Sequence, residues 1–227
     1  MSTTGDEQAA QLIARLEQLD TCAVSDALDR LGLPGAVVGL LPVAGHTRLV
    51  GRALTMRVGP FRGEAPTHHL GVRAIEAGGE LDVVVIEHRG PEHVAAWGGL
   101  LSLAARQRRL RGAIVDGACR DVDDIRKAGF AVFARRVTPI TARGRVVEEE
   151  FGIAVTIGSV LVRPGDLLIA DSSGVVFVPQ EKAQQVVTLA ESLARQEEEM
   201  AQAILRGVMP SQVLGRRYET MLERDDQ

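Results

Sequence analysis

Three short apolar runs, Val83-Val84-Val85-Ile86, Ala113-Ile114-Val115 and Ala131-Val132-Phe133, are each parted from the next by a segment of helical spacing. Continuous runs of this length suit strands buried on both faces, which is the situation of a parallel sheet covered by helices. Thr67 to Ala77 has helical spacing and ends in Gly78-Gly79. Gly98 to Arg108 carries Leu100, Leu101, Ala104 and Ala105, and Val122 to Ala128 predicts a short helix stopped by Gly129. The middle of the chain therefore predicts an α/β layer.

The flanks read differently. From Glu7 to Leu19, residues Ala10, Leu12, Ile13, Leu16 and Leu19 recur at helical spacing. A second helix over Ala23 to Leu31 stops at Gly32, with Pro34 beyond it. Gly51 to Val58 alternates as a strand closed by Gly59-Pro60. After the α/β layer come Ile153 to Val162, Leu167 to Ala170 and Val175 to Val178. They are parted by the turn sequences Arg163-Pro164-Gly165-Asp166 and Asp171-Ser172-Ser173-Gly174, which predict antiparallel hairpins. A long helix is expected from about Glu181 to Arg206. The arm beyond Gly207 carries Met209, Val213, Leu214, Tyr218 and Met221, apolar enough either to pack on a neighbour or to remain free. No repeat or linker divides the chain, so one domain is the economical reading.

With 227 residues, one well-buried core is feasible. Aromatics make up 3%, so Ala, Val, Leu and Ile must fill it. A formal charge of −4 gives no electrostatic case for nucleic acid. The basic run Arg106-Gln107-Arg108-Arg109-Leu110-Arg111 reads as a solvated helix end. Cys22 and Cys119 make neither a disulfide framework nor a zinc motif. The polar start is no signal peptide, and no apolar stretch approaches the ~20 residues of a membrane span. A soluble, cytoplasmic protein is expected.

Two segments carry candidate chemistry. In Asp116-Gly117-Ala118-Cys119-Arg120-Asp121 a hydrophobic strand is expected to end at a glycine turn, with Arg-Asp opening the next helix. Ligands in α/β layers favour that position. Arg120 offers a planar fork for a carboxylate or keto-acid, and Asp121 a hard oxygen for a divalent cation. A structural alternative stands beside this: Asp121 and Asp124 can cap their own helix, Arg120 can pair with Asp116, Asp123 or Asp124, and Asp116 can be a turn former. In Trp97-Gly98-Gly99-Leu100-Leu101, two glycines open a helix whose first amides are unpaired, an anion-binding arrangement or a simple turn. Neighbouring His68 and His69 point apart on a helix and read as structural or rim residues, and His46, His88 and His93 are scattered. Nucleophile-elbow, Walker and dinucleotide motifs are lacking.

The stretch from Ala96-Trp97-Gly98-Gly99-Leu100-Leu101 through Val115-Asp116-Gly117-Ala118-Cys119-Arg120-Asp121 resembles the RraA-like family, which includes class II pyruvate aldolases acting on 4-hydroxy-4-methyl-2-oxoglutarate. The likeness begins near Thr21-Cys22-Ala23-Val24-Ser25-Asp26 and continues through Val162-Arg163-Pro164-Gly165-Asp166 and Ala170-Asp171-Ser172-Ser173-Gly174. It implies a single α/β domain with a β-sandwich-like core, flanking helices and a long C-terminal helix. The corresponding division is an N-terminal helix at 1–20, a catalytic domain at 21–207 and an arm at 208–227. It also implies homotrimers or dimers of trimers with sites between subunits, Mg²⁺ or Mn²⁺ on Asp121, and a small 2-keto-acid substrate held by Arg120. Gly98, Gly99 and the amides of Leu100 and Leu101 would receive its carboxylate, and an acidic residue of an adjoining subunit, with Glu197-Glu198-Glu199 as candidates, would complete the outer shell. Aldolases of this group carry an acid at the position of Gly99; without it aldol chemistry would be slow, rerouted through another acid or replaced by a different reaction, and decarboxylation of a 2-keto-dicarboxylate such as oxaloacetate survives the loss more easily. The competing reading is a non-catalytic regulator of RNA-degrading enzymes, as RraA-type relatives are.

Overall fold

The computed structural model describes residues 3–63 and 66–222. The chain opens with α1 (Thr3–Leu16) and α2 (Thr21–Leu31). Asp20 starts α2 by accepting the Ala23 N–H at 2.8 Å, and Gly32, at φ 66°, closes it in the left-handed conformation that glycine favours. There follow β1 (Ala36–Val37), β2 (Leu41–Ala44), β3 (Leu49–Pro60), α3 (Val72–Ala77), β4 (Asp82–His88), β5 (Ala95–Trp97), α4 (Gly99–Gln107), β6 (Gly112–Cys119), α5 (Val122–Ala128) and β7 (Ala131–Val137). The remainder is β8 (Val146–Phe151), β9 (Val155–Ile157), β10 (Val160–Val162), β11 (Leu167–Asp171), β12 (Gly174–Val178), α6 (Ala183–Leu205) and the short helices α7 (Pro210–Val213) and α8 (Arg216–Glu219).

Ten strands form one sheet in the order β1-β12-β11-β3-β4-β6-β7-β2, with β5 added to β6 and β8 to β3. The centre, β3-β4-β6-β7, is parallel, as the alternating middle section predicts, and the hairpin strands around it are antiparallel. β1 and β2 lie at opposite ends of that order yet only residues 38–40 separate them. The sheet must therefore curl round on itself, and its concave face encloses a core of its own.

That enclosure explains the continuous apolar runs. Along β4, Val83 and Val85 point into the interior with Ile114, Phe133, Leu168 and Phe177, while Val84 and Ile86 point outward. The β9–β10 hairpin fills the interior with Val155, Ile157, Val160 and Val162. On the outside, one layer packs α3, α4 and α5 over Met56, Val115 and Val132. A second layer packs α1, α2 and α6 over Ile169, Val176 and Val178 through Ile13, Leu16, Leu28 and Val187. Both faces are buried, so alternation disappears from the sequence. This is the expected α/β class with a sandwich-like core, flanking helices and a long C-terminal helix. Among the described residues, no helix is long and apolar enough to cross a membrane.

Several local expectations are corrected. β6 does not end at Val115 but runs through Asp116-Gly117 to Cys119. Asp116 is thus no turn former. Its carboxylate accepts from Arg135 Nε at 2.6 Å and from the Gly158 N–H at 2.7 Å, tying β7 and the β9–β10 turn to β6. Gly117 makes room rather than a bend, because a Cβ there would stand 2.8 Å from the Cβ of His88. β3 likewise continues past Gly59 to Pro60. The helix expected from Thr67 is confined to Val72–Ala77. The stretch from Ile153 to Val162 is two strands turned at Gly158. β1, β2, β5 and β8 lie where the sequence predicts no strand. The arginine run behaves as a helix end: Arg106 and Arg108 donate to the carbonyls of Gly129 and Glu76, while Arg109 and Arg111 pair with Glu80 and Glu17.

Where α2 packs on α6, carboxylates meet without mutual relief. Burial, then Asp29 and Asp20, push the Asp26 carboxyl above its ordinary value, and burial, then Asp26 and Asp20, do the same to Glu197. A carboxyl whose folded-state pKa is raised favours folding when protonated. That contribution is complete below the ordinary carboxylate value and is lost as pH rises through the raised one. Asp26→Asn is therefore expected to raise Tm at neutral pH by roughly 2 °C, a modest figure because the group is partly exposed. The gain should vanish near pH 3; thermal melts at the two pH values check this.

Candidate functional site

The chain turns from β5 into α4 at Trp97 and Gly98. Trp97 Nε1 donates to Ser102 Oγ at 2.8 Å, and Ser102 Oγ donates to the Gly98 carbonyl at 3.1 Å. The indole also stacks on Phe130, centroids 6.2 Å apart and planes 18° from parallel. The next loop is drawn against this turn, because the Arg120 N–H donates to the Trp97 carbonyl at 3.0 Å.

Asp121 follows in the left-handed region, at φ 60° and ψ 40°. A non-glycine residue there carries a cost of order 1–2 kcal/mol and is worth an explanation. Its side chain makes no capping bond to α5. Instead Oδ2 accepts the Gly99 N–H, the first amide of α4, at 3.1 Å, and Oδ1 accepts from Arg120 Nε at 3.0 Å. The capping alternative fails for Asp121's own helix, since the carboxylate faces the neighbouring one. Arg120 pairs with none of Asp116, Asp123 or Asp124. Those three are taken by Arg135, Arg126 and Lys127.

The two glycines permit this approach by their size. Gly98 is extended, at φ −165°, so its conformation demands nothing special. A Cβ on it would lie 2.8 Å from Asp121 Oδ2 and 3.1 Å from Arg120 Cγ. A Cβ on Gly99 would lie 3.1 Å from the Cβ atoms of both Asp121 and Asp124. A carboxylate at position 99 would thus emerge between two others.

A cleft of about 110 Å³ opens here, lined by Trp97, Gly98, Leu100, Leu101, Arg120 and Asp121. The side chains of Arg120 and Asp121 are each 32% exposed. Ser102 makes the first regular backbone bond of α4, to Gly98. The Leu100 and Leu101 amides have no backbone acceptor among the described residues, and they add the positive end of the helix dipole to the cleft. Gly98, Leu100, Leu101, Arg120 and Asp121 therefore line one space, Gly99 lies behind it against Asp121, and Asp116 lies elsewhere, bonded to Arg135 and Gly158.

Other residues were not foreseen or were read as peripheral. His69, one of the rim candidates, lines the cleft, together with Thr141 and Arg143 from the loop between β7 and β8. Burial and the nearby Arg143 guanidinium lower the His69 pKa, which keeps its ring neutral at neutral pH. His68 lines an adjoining depression. The buried Cys119 thiol is pushed up to about 12 by burial and by Asp121, so it does not serve as a nucleophile. His88 lies under the end of β6, and its buried Nε2 has no partner among the described residues. Glu197 lies near Asp26 of its own chain, and Glu198 accepts from Gln202. Among the described residues there is no group of three or more His, Cys, Asp or Glu set to hold a metal.

Three relatives give context. The Legionella pneumophila protein DlpA is 29% identical over 196 residues, which are 86% of this chain but only 32% of that protein. A Halalkalibacterium halodurans protein named "Putative 4-hydroxy-4-methyl-2-oxoglutarate aldolase" is 29% identical over 198 residues, 87% of this chain and 90% of its own length. The crystal structure of Streptomyces coelicolor RraAS2, described as an unusual member of the RNase ES inhibitor RraA protein family, superposes with a TM-score of 0.75. It is 26% identical, with 85% of this chain and 96% of that chain covered. The family model described as RraA-like, Aldolase/RraA, matches residues 21–177, which include both loops of the cleft, and the chain belongs to that family.

Proposed function

We propose that this chain is a divalent-metal-dependent carbon–carbon lyase acting on a 2-keto-acid that yields pyruvate. The observation that carries the reading is the convergence of Asp121, Arg120 and the unpaired amides of Leu100 and Leu101 on one cleft. Asp121 offers a hard carboxylate beside open space, a donor that suits Mg²⁺ or Mn²⁺, which take oxygen ligands and keep several waters. When bound, such an ion would polarise the carbonyl of the keto-acid as a Lewis acid.

The chain's own residues divide the remaining work. The Leu100 and Leu101 amides would receive the C1 carboxylate, aided by the dipole of α4. Arg120 would hold the keto-acid and stabilise negative charge growing on the C2 oxygen. Asp121, by bonding both Arg120 and the Gly99 amide, holds these two elements in register. In the decarboxylation of oxaloacetate, the C3–C4 bond breaks and C4 leaves as carbon dioxide. The electron pair moves to the C2 oxygen, and a proton from water then reaches C3 to give pyruvate. Aldol cleavage would also need a base for the hydroxyl proton, a contribution commonly worth about 10²–10⁴-fold. Glycine at position 99 supplies none, so decarboxylation is the favoured reaction.

The exposed Leu100 and Leu103, 76% and 49% accessible beside the cleft, support an assembly of identical subunits, a homotrimer or dimer of trimers, that would cover them. The test of function is pyruvate release from oxaloacetate with Mg²⁺ or Mn²⁺, above the rate with metal alone. EDTA is expected to abolish it, and turnover indifferent to EDTA would overturn the reading. The likeness to an RNase ES inhibitor family member, together with Gly99, favours a second reading, a regulator that binds RNA-degrading enzymes. It would be supported by capture of such an enzyme without any lyase activity.

A further inference from the structure

We infer that His69 is the base for a second reaction at this site, taking the hydroxyl proton of a 4-hydroxy-2-keto-acid so that the chain cleaves it to pyruvate and a carbonyl compound. The inference rests on the keto-acid reading of the cleft. It is carried by a wall that neither sequence motif contains: the segment between β3 and α3, which brings His69 to the same space as Arg120 and Asp121.

That segment is fixed just beyond His69. Leu70 is buried in one core with Ala74 and Trp97. The Gly71 N–H donates to Glu148 Oε2 at 2.7 Å, and the Val72 N–H to the His69 carbonyl at 3.3 Å. Gly71 takes the left-handed conformation, at φ 83°, and a Cβ on it would stand 3.2 Å from the Trp97 ring. The backbone that carries His69 is thus seated against the floor of the cleft. Its imidazole forms no hydrogen bond or ion pair among the described residues.

The remaining groups of the cleft leave the role to His69. Both oxygens of Asp121 are engaged, by the Gly99 N–H and by Arg120. Arg120 and Arg143 are cations that keep their protons, and the Thr141 hydroxyl is no base. Burial, then Arg143, keep the imidazole uncharged, so its ring is ready to accept a proton. The other charges that share its two cavities are the Arg120–Asp121 pair and Arg73, which is bonded to Glu148; His68 adjoins it.

The step balances without a co-reactant. An imidazole nitrogen takes the proton of the C4 hydroxyl, and the electrons of that O–H bond form the C4 carbonyl. The C3–C4 bond breaks, and its pair forms a C2–C3 double bond as the C2 carbonyl pair moves onto oxygen, beside Arg120. C3 is the atom next to C4, so the same imidazolium returns the proton there. Pyruvate and the carbonyl compound leave, and the ring is neutral again.

The experiment compares 4-hydroxy-4-methyl-2-oxoglutarate, whose cleavage needs the base, with oxaloacetate, whose decarboxylation has no hydroxyl proton to remove. Both are assayed with Mn²⁺, above the rates with metal alone. His69→Ala is expected to lower the ratio of the first kcat to the second by about 10²-fold or more, the scale of a lost general base. Added imidazole should restore part of that ratio, an effect that a structural role would not show. In the unaltered protein, kcat/KM for the 4-hydroxy acid should fall as pH drops through a value below the ordinary histidine range, and His69→Ala should abolish that fall. An unchanged ratio overturns the inference, as does an unaltered protein that turns over oxaloacetate but not the 4-hydroxy acid, and either result leaves the proposed function standing. Failure of the underlying reading has another signature: the unaltered protein would release pyruvate from neither acid, and the assignment of His69 would fall with it.

Discussion

If the chain is the lyase proposed, Asp121→Asn is expected to lower metal-dependent pyruvate release by about 10²–10³-fold, the loss typical of removing one preorganised electrostatic contact, while leaving the fold standing. The argument turns on what asparagine keeps. Its side-chain oxygen still accepts the Gly99 N–H, so α4 retains the bond that now closes its first amide. It loses the charge that would hold a cation and that pairs with Arg120. Asp121→Ala removes both, and should add about 0.5–2 kcal/mol of destabilisation from the lost cap. Thermal melts and steady-state rates of the two variants separate the contributions. An asparagine variant as active as the native protein would end the catalytic reading of this residue.

Trp97→Ala should be among the most damaging single changes. The indole is 2% exposed, stacks on Phe130 and donates to a wholly buried Ser102. Truncating a buried aromatic costs about 3–5 kcal/mol. For a chain of this size that corresponds to a fall in Tm of roughly 6–20 °C. Activity should fall further than stability accounts for, because Trp97 forms the cleft floor and its carbonyl anchors Arg120. Trp97→Phe keeps part of the packing and forfeits the bond to Ser102, at about 0.5–1.5 kcal/mol. If the alanine variant melted within 2 °C of the native protein, the packing account of this turn would be wrong.

Three strands of the parallel centre, β4, β6 and β7, were legible because each is buried on both faces over a short unbroken apolar run, while β3 was legible from its alternation. The long α6 and the hairpin β11–β12 were legible for equally local reasons: helical spacing in one case, turn residues in the other. β8 was invisible because its six residues include Glu148, Glu149 and Glu150, and its place in the sheet comes from pairing with β3 rather than from an apolar face. Asp116-Gly117 misled for the same kind of reason. A turn-forming pair stays in a strand here because Arg135 and Gly158 bind the carboxylate and His88 packs where a Cβ would go.

The candidate site divides along the same line. Local sequence put Arg-Asp and Gly-Gly at two helix starts and, through the family resemblance, suggested their chemistry. It left open whether Asp121 was a cap or faced a ligand. The packing of α5 against α4 shows that it does not cap its own helix: Asp121 lies in the left-handed region and its carboxylate closes the first amide of α4, at Gly99. Arg143 shows the limit most plainly. Nothing around it in the sequence marks it, and it reaches the cleft because a loop 20 residues beyond Asp121 folds back over β5. Strands and helices follow from spacing along the chain, a short-range property. A cleft is made by side chains that are distant in sequence, and which of them meet is fixed by how the curled sheet brings its connecting loops together.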